Sequence, residues 1–179
     1  GYGLNIEALD GLYQQGVHLV VTVDCGIRSL EEADFAHHRN LGLIITDHHH
    51  PGSEIPVAEA VINPKQNTDT YPDKDLAGVG LAYKLAFALL TSEQAPGGFD
   101  PEVFLDLVAL GTVADMAPLT GENRTLVRKG LGKIHQAQRQ GLLSLIGAAG
   151  LTPQRITSND IAYALAPRLN AAGRLDTAQ

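Results

Sequence analysis

The stretch Val17-His18-Leu19-Val20-Val21-Thr22-Val23-Asp24-Cys25-Gly26, followed by Gly42-Leu43-Ile44-Ile45-Thr46-Asp47-His48-His49-His50, decides the fold. Each half opens on a short apolar run rich in β-branched residues and closes on an aspartate beside a turn. Runs of this kind read as buried parallel strands. Between them, Ser29 stands where a helix cap belongs, and Leu30 to Arg39 reads as a helix. Glu31 and Glu32 fall in its first turn, where the helix dipole favours acids. Strand, helix, strand within about 30 residues is a βαβ unit, which implies a parallel sheet and a right-handed crossover.

Working outward, Ile6, Leu9, Leu12 and Tyr13 recur at helical spacing and Gly16 stops that helix. Ala60-Val61-Ile62-Asn63 reads as a third short strand, and a polar loop runs from Pro64 to Asp75. Beyond it the signal is helical, over 77–90, 102–113, 123–138, 142–149 and 160–172. The expected architecture is α/β: a parallel sheet flanked by helices over residues 1–118, then a mostly helical extension over 119–179.

The 179 residues are 44% apolar and 18% charged, enough to bury a core and unlike a disordered tail. No apolar run reaches the roughly 18 residues that span a bilayer, so no membrane partner is expected. A single cysteine, Cys25, excludes an internal disulfide framework and an all-cysteine zinc site. These features suit a cytoplasmic protein. Residues 1–118 hold 17 acids and 5 bases, while residues 119–179 hold 3 acids and 8 bases. The acidic part is a poor general nucleic-acid binder, because backbone affinity comes mainly from Lys and Arg. It suits divalent metals, and the basic part suits a phosphate, although two solvated faces of opposite sign give the same count.

In open parallel sheets, ligands gather outside the carboxyl ends of the strands. Asp24 ends one expected strand and Asp47-His48-His49 ends the next, so their side chains can converge on one ion. Carboxylates with imidazole and no thiolate suit Mn²⁺ or Mg²⁺ better than a structural zinc. The same residues also suit plainer roles: Asp24 a turn carboxylate bonding its own backbone, the histidines a solvated loop. His50 fits that loop, and His37 and His38 fit a helix surface. A second cluster, Gly111-Thr112-Val113-Ala114-Asp115, ends on a lone acid that serves equally as a ligand or a helix-end carboxylate. In a third, Arg168-Leu169-Asn170-Ala171-Ala172-Gly173-Arg174, the arginines could fork onto a phosphate or satisfy terminal carbonyls. Ala77-Gly78-Val79-Gly80 lacks the third glycine of a dinucleotide fingerprint and reads as close packing against the sheet.

Taken in order, Thr22-Val23-Asp24-Cys25-Gly26, Thr46-Asp47-His48-His49, Leu76-Ala77-Gly78-Val79-Gly80, Gly111-Thr112-Val113-Ala114-Asp115 and Arg168-Leu169-Asn170-Ala171-Ala172-Gly173-Arg174 resemble the DHH phosphoesterase superfamily. The last two motifs and Asn63-Pro64 are similar to its RecJ branch of single-strand-specific 5′→3′ DNA exonucleases. The resemblance implies a two-metal Mn²⁺ or Mg²⁺ site that hydrolyses a phosphodiester. It implies Asp24, His48 and Asp115 as metal ligands and Asp47, His48 and His49 as the catalytic signature, with Asp47 a ligand or a support for the imidazole. His49 would contact the scissile phosphate, and Arg168, Asn170 and Arg174 the nucleic acid. Single-stranded DNA is the implied substrate, and a single-strand-binding protein an implied partner.

Two departures from that pattern stand out. No Asp-x-Asp pair precedes Asp24, and no Gly-Gly-His-containing lobe follows Arg174. The chain therefore reads as an internal piece of a longer protein, with one metal under-coordinated, one sheet edge exposed and little hydrolysis expected alone. Two other readings stay open: a small-substrate phosphoesterase acting on dinucleotides or nucleotide bisphosphates, and a non-catalytic replication scaffold.

Overall fold

A computed structural model describes residues 3–92, 97, 100–136 and 138–175. By compactness the chain divides into two units, Gly1–Ala82 and Tyr83–Gln179.

In the first unit, α1 (Ile6–Gln14) is capped by Asn5, whose side-chain oxygen accepts from the Ala8 N–H at 2.8 Å. The helix ends before Gly16, whose φ of 81° suits glycine. β1 (Leu19–Val23), α2 (Leu30–His38), β2 (Gly42–Thr46) and β3 (Ala60–Ile62) follow, and α3 (Gly78–Leu90) begins in this unit. The strands pair in the order β1-β2-β3, all parallel. Leu19 registers with Gly42 through to Val23 with Thr46, and Ile44 with Ala60 through to Thr46 with Ile62. Leu43 and Ile45 of the central strand bury against Leu9 of α1, Ala33 and Ala36 of α2, and Leu41.

β1 departs from the expected burial on both faces. Leu19, Val21 and Val23 are 51%, 44% and 53% exposed, and Thr22 is the residue of this strand that is buried. It lies at the sheet edge with one face packed, and a run that is apolar except at Thr22, its buried residue, carries no alternation that would reveal this. Ser29 does occupy the N-cap of α2, but its side chain makes no cap hydrogen bond.

The second unit is helical, as expected. It holds a 3₁₀ turn (Pro101–Phe104), α4 (Leu105–Ala114), α5 (Gly121–His135), α6 (Gln140–Ala148), a 3₁₀ turn (Pro153–Arg155), α7 (Ser158–Asp160), a π segment (Ile161–Leu165) and α8 (Ala166–Leu175). Its core joins Ala109, Val113, Val127, Ile134, Ile146, Ile161 and Leu165. Buried Asp106 is held by Arg139, with Nε donating at 2.9 Å and Nη2 at 3.3 Å. The last helical run starts at a capping box of Thr157 and Asp160. The π segment has a cause in the sequence: Pro167 has no N–H to give to the carbonyl four residues back, and a wider turn accommodates that loss.

Candidate metal centre

Parallel register places the residue after β1 beside the residue after β2. The Asp24 N–H donates to the Thr46 carbonyl at 3.0 Å, and the Asp47 N–H to the Ile62 carbonyl at 3.1 Å. Both aspartates thus leave the sheet at the same edge, as the sequence predicts. Thr22 and Thr46 lock the strand ends: the Thr46 hydroxyl donates to the Thr22 carbonyl at 2.7 Å, and the Thr22 hydroxyl to the Cys25 carbonyl at 2.7 Å.

Asp24 itself has a φ of 66°, a left-handed conformation that aspartate tolerates better than most side chains. Such backbone costs on the order of 1–3 kcal/mol and persists where surroundings over-determine it. Here it turns the carboxylate toward His48, whose Nε2 lies 3.0 Å from Asp24 Oδ1. One ligand atom each from Asp24, His48 and His49 lies within 4.8 Å of the others, a spacing that suits a shared cation.

Asp47 does not belong to that trio; it builds the turn that presents it. Its Oδ1 accepts from the His48 N–H at 2.8 Å and the His49 N–H at 3.1 Å, and its Oδ2 from the Ile27 N–H at 3.0 Å. The His49 Nδ1 lies 2.7 Å from Asp47 Oδ1. With Nδ1–H engaged there, Nε2 is the His49 nitrogen left to meet a ligand. Burial pushes the Asp47 carboxyl up, but the donors from Ile27 and His49 together outweigh it and hold it below the ordinary carboxylate value. Burial, then the charges of Asp47 and Asp24, push the Cys25 thiol up, opposite to the lowered value of an activated thiolate.

Gly78 shows that the centre is tightly enclosed on one side. A Cβ at Gly78 would lie 2.6 Å from the Asp24 Cγ, and nearer still to Oδ1. The first turn of α3, the positive end of its dipole, therefore rests directly on a metal-type carboxylate. The sequence reading of this glycine as packing against the sheet is corrected: it packs against the Asp24 side chain. The donor set fits a divalent cation, combining one hard carboxylate with two imidazoles and no thiolate.

Asp115 caps the C-terminus of α4 in the second unit, exposed and followed by Met116 at a φ of 57°. Arg168 lies exposed on α8, its Nη1 donating to the Ala164 carbonyl at 2.7 Å, and Asn170 is exposed two residues on. The side chain of Arg174 lies outside the described residues. His37 and His38 are exposed on α2, as expected. His135 serves structure, its Nε2 lying 2.8 Å from the Ile156 carbonyl.

One residue of the centre escaped the site reading. Asn63 is fully buried, and its Nδ2 donates to the His49 carbonyl at 2.9 Å. An asparagine directly after a strand and before proline was the available signal.

Residues 5–112 match the N-terminal domain of the DHH family. The chain belongs to the DHH family. This DHH chain is 46% identical over 187 residues to the single-stranded-DNA-specific exonuclease RecJ of Escherichia coli (strain K12), an alignment covering 98% of the chain and 32% of that protein. It is similar in structure to an exonuclease RecJ bound to manganese, with a TM-score of 0.84, 36% identity, and coverage of 99% of this chain and 44% of the other. RecJ of Thermus thermophilus in complex with Mg²⁺ gives a TM-score of 0.60 at 33% identity, covering 94% and 24%. The DHH chain thus spans about a third of the length of the first of these relatives.

Proposed function

We propose that this chain carries the hydrolytic centre of a single-strand-specific DNA exonuclease that works 5′→3′ in recombination and repair, in the cytoplasm. The observation that carries this reading is the convergence of Asp24, His48 and His49 within 4.8 Å, in a chain similar to RecJ over 98% of its length. Asp24 and His48 are the residues that would hold Mn²⁺ or Mg²⁺, with Asp115 proposed as a further metal ligand. When bound, such cations would supply an activated water and offset the negative charge carried by the attacking and leaving oxygens during displacement.

The chain's own residues do the rest. Asp47 keeps both histidine amides and the His49 ring in one orientation, so that His49 meets the scissile phosphate through Nε2. Arg168, Asn170 and Arg174 are proposed to contact phosphates of the strand, and a single-strand-binding protein is the proposed partner that presents it.

The test incubates the chain, extended at both ends to the length of its relatives, with Mn²⁺ and 5′-phosphorylated single-stranded DNA, its duplex, or a dinucleotide, with His48→Ala as control. Loss of the single strand from its 5′ end, abolished by the substitution, is the expected result. Turnover of the dinucleotide alone would assign it to small substrates, and turnover of nothing would point to a scaffold.

A further inference from the structure

In the first unit, starting at the residue after His49, is a cleft that none of the roles above uses. It lies between the loop leaving β2 and the loop leaving β3, and its volume is about 430 Å³. That falls within the roughly 300–1,000 Å³ usual for small-molecule sites. One wall carries His50, Pro51 and Ser53, and the other Lys65, Asn67 and Thr68. We propose that this cleft is a subsite for a nucleotide of single-stranded DNA next to the bond being cut, with Lys65 as its phosphate contact. The inference rests on the reading of Asp24, His48 and His49 as the hydrolytic centre.

Three observations carry it. The first is contiguity, since the cleft wall begins at the residue after His49.

The second is pre-organisation. Buried Asn63 joins the two walls at their base, its Nδ2 donating to the His49 carbonyl at 2.9 Å and its Oδ1 accepting from the Lys65 N–H at 2.8 Å. Gln66 Nε2 donates to the carbonyls of Val61 at 3.1 Å and Asn63 at 3.2 Å. On the other wall, Arg28 Nε donates to the His50 carbonyl at 2.8 Å. Walls fixed before a ligand arrives lose less entropy on binding.

The third is charge. The first unit, residues 1–82, holds 12 acids against 4 bases, yet no acid lines the cleft and one of those four bases does. Lys65 makes no ion pair among the described residues, whereas Lys74, outside the cleft, is held by the Asp69 carbonyl at 2.8 Å. An acid-free cleft on an acidic unit, with hydroxyls, amides and an apolar proline, matches a nucleotide's mixture of phosphate, sugar and base.

The experiment measures binding of a short oligothymidylate, 5′-phosphorylated and 3′-labelled, by fluorescence anisotropy at several salt concentrations. Ca²⁺ replaces Mn²⁺ so that the strand is not consumed. Lys65→Gln is expected to weaken binding about fivefold and to reduce the slope of log Kd against log salt by about 0.7, the value for one lost phosphate contact on a single strand. Lys65→Arg should keep the slope of the parent chain, and Lys74→Gln should leave the affinity within about twofold. An unchanged slope in Lys65→Gln, equal losses from both lysines, or no binding by the parent chain would each overturn the subsite. The reading beneath it has a separate readout, the Mn²⁺-induced rise in melting temperature. Its presence alongside an unaltered Lys65→Gln slope removes only the subsite, and its absence removes the centre itself.

Discussion

Gly78 and Thr112 are single positions whose surroundings make sharp predictions. At Gly78 the first atom of any side chain would fall on the Asp24 carboxylate, so Gly78→Ala must move either α3 or the carboxylate. Overpacking of that kind costs about 1–3 kcal/mol. The variant should melt lower than the parent chain and lose most of its response to Mn²⁺; calorimetry with and without the ion reads both. The Thr112 hydroxyl is buried, and among the described residues it has no hydrogen-bond partner. Replacing it by a methyl removes an unsatisfied group at nearly constant volume. Thr112→Val should therefore raise stability by about 1 kcal/mol, and a urea midpoint at or below that of the parent chain would contradict this.

At the scale of elements, the crossing of α4 and α5 depends on one missing side chain. A Cβ at Gly130 would fall on the Leu105 carbonyl oxygen and come to 2.5 Å from the Ala109 Cβ. Backbone cannot yield as a flexible side-chain tip can, so Gly130→Ala should cost about 2 kcal/mol or more despite alanine's better helix propensity. Chemical denaturation checks the sign, because propensity alone predicts a gain. The capping box before α7 supplies a pH test. Hydrogen bonds from the Thr157 hydroxyl and N–H hold the Asp160 carboxyl below its ordinary value. A carboxyl lowered by folding stabilises at pH values above its unfolded pKa, and that contribution fades as pH falls through the lowered folded value. Asp160→Asn should thus melt below the parent chain at neutral pH, and the gap should close on acidification below about pH 4.

For the molecule as a whole, the metal centre should couple to stability by mass action. Mn²⁺ at a hundredfold above its dissociation constant contributes about 2.7 kcal/mol, or a rise of roughly 5–10 °C for a chain of this size. Asp24→Ala and His48→Ala should abolish the rise. His37→Ala, on the exposed surface of α2, should leave it intact, which separates a built site from chance binding to surface histidines. Two partitions of the molecule also coexist. Charge divides the sequence at residue 118, where acids give way to bases, while packing divides it at residue 82, within α3. Charge is a property of surface and packing one of core, so the two boundaries need not coincide.

The sequence by itself determined the parallel βαβ unit, the helical second half and the edge of the sheet at which Asp24 and Asp47 emerge. Each follows from local signals: β-branched runs, helical periodicity, and turns at fixed spacing. It also pointed to Asp24 and to Asp47-His48-His49, because neighbouring parallel strands bring their ends together. Tertiary structure alone decided the rest. Whether β1 is buried on one face or two depends on its neighbours, and an apolar run reads the same either way. The duty of Asp47 in gathering three backbone amides, Ile27 among them, needs a contact across 20 residues of sequence. Gly78 against Asp24 and Asn63 under His49 are likewise long-range, and a glycine or an asparagine carries no mark of what it will touch. Local chemistry is written along the chain, whereas the close approach of distant segments exists only once the core has fixed their distance.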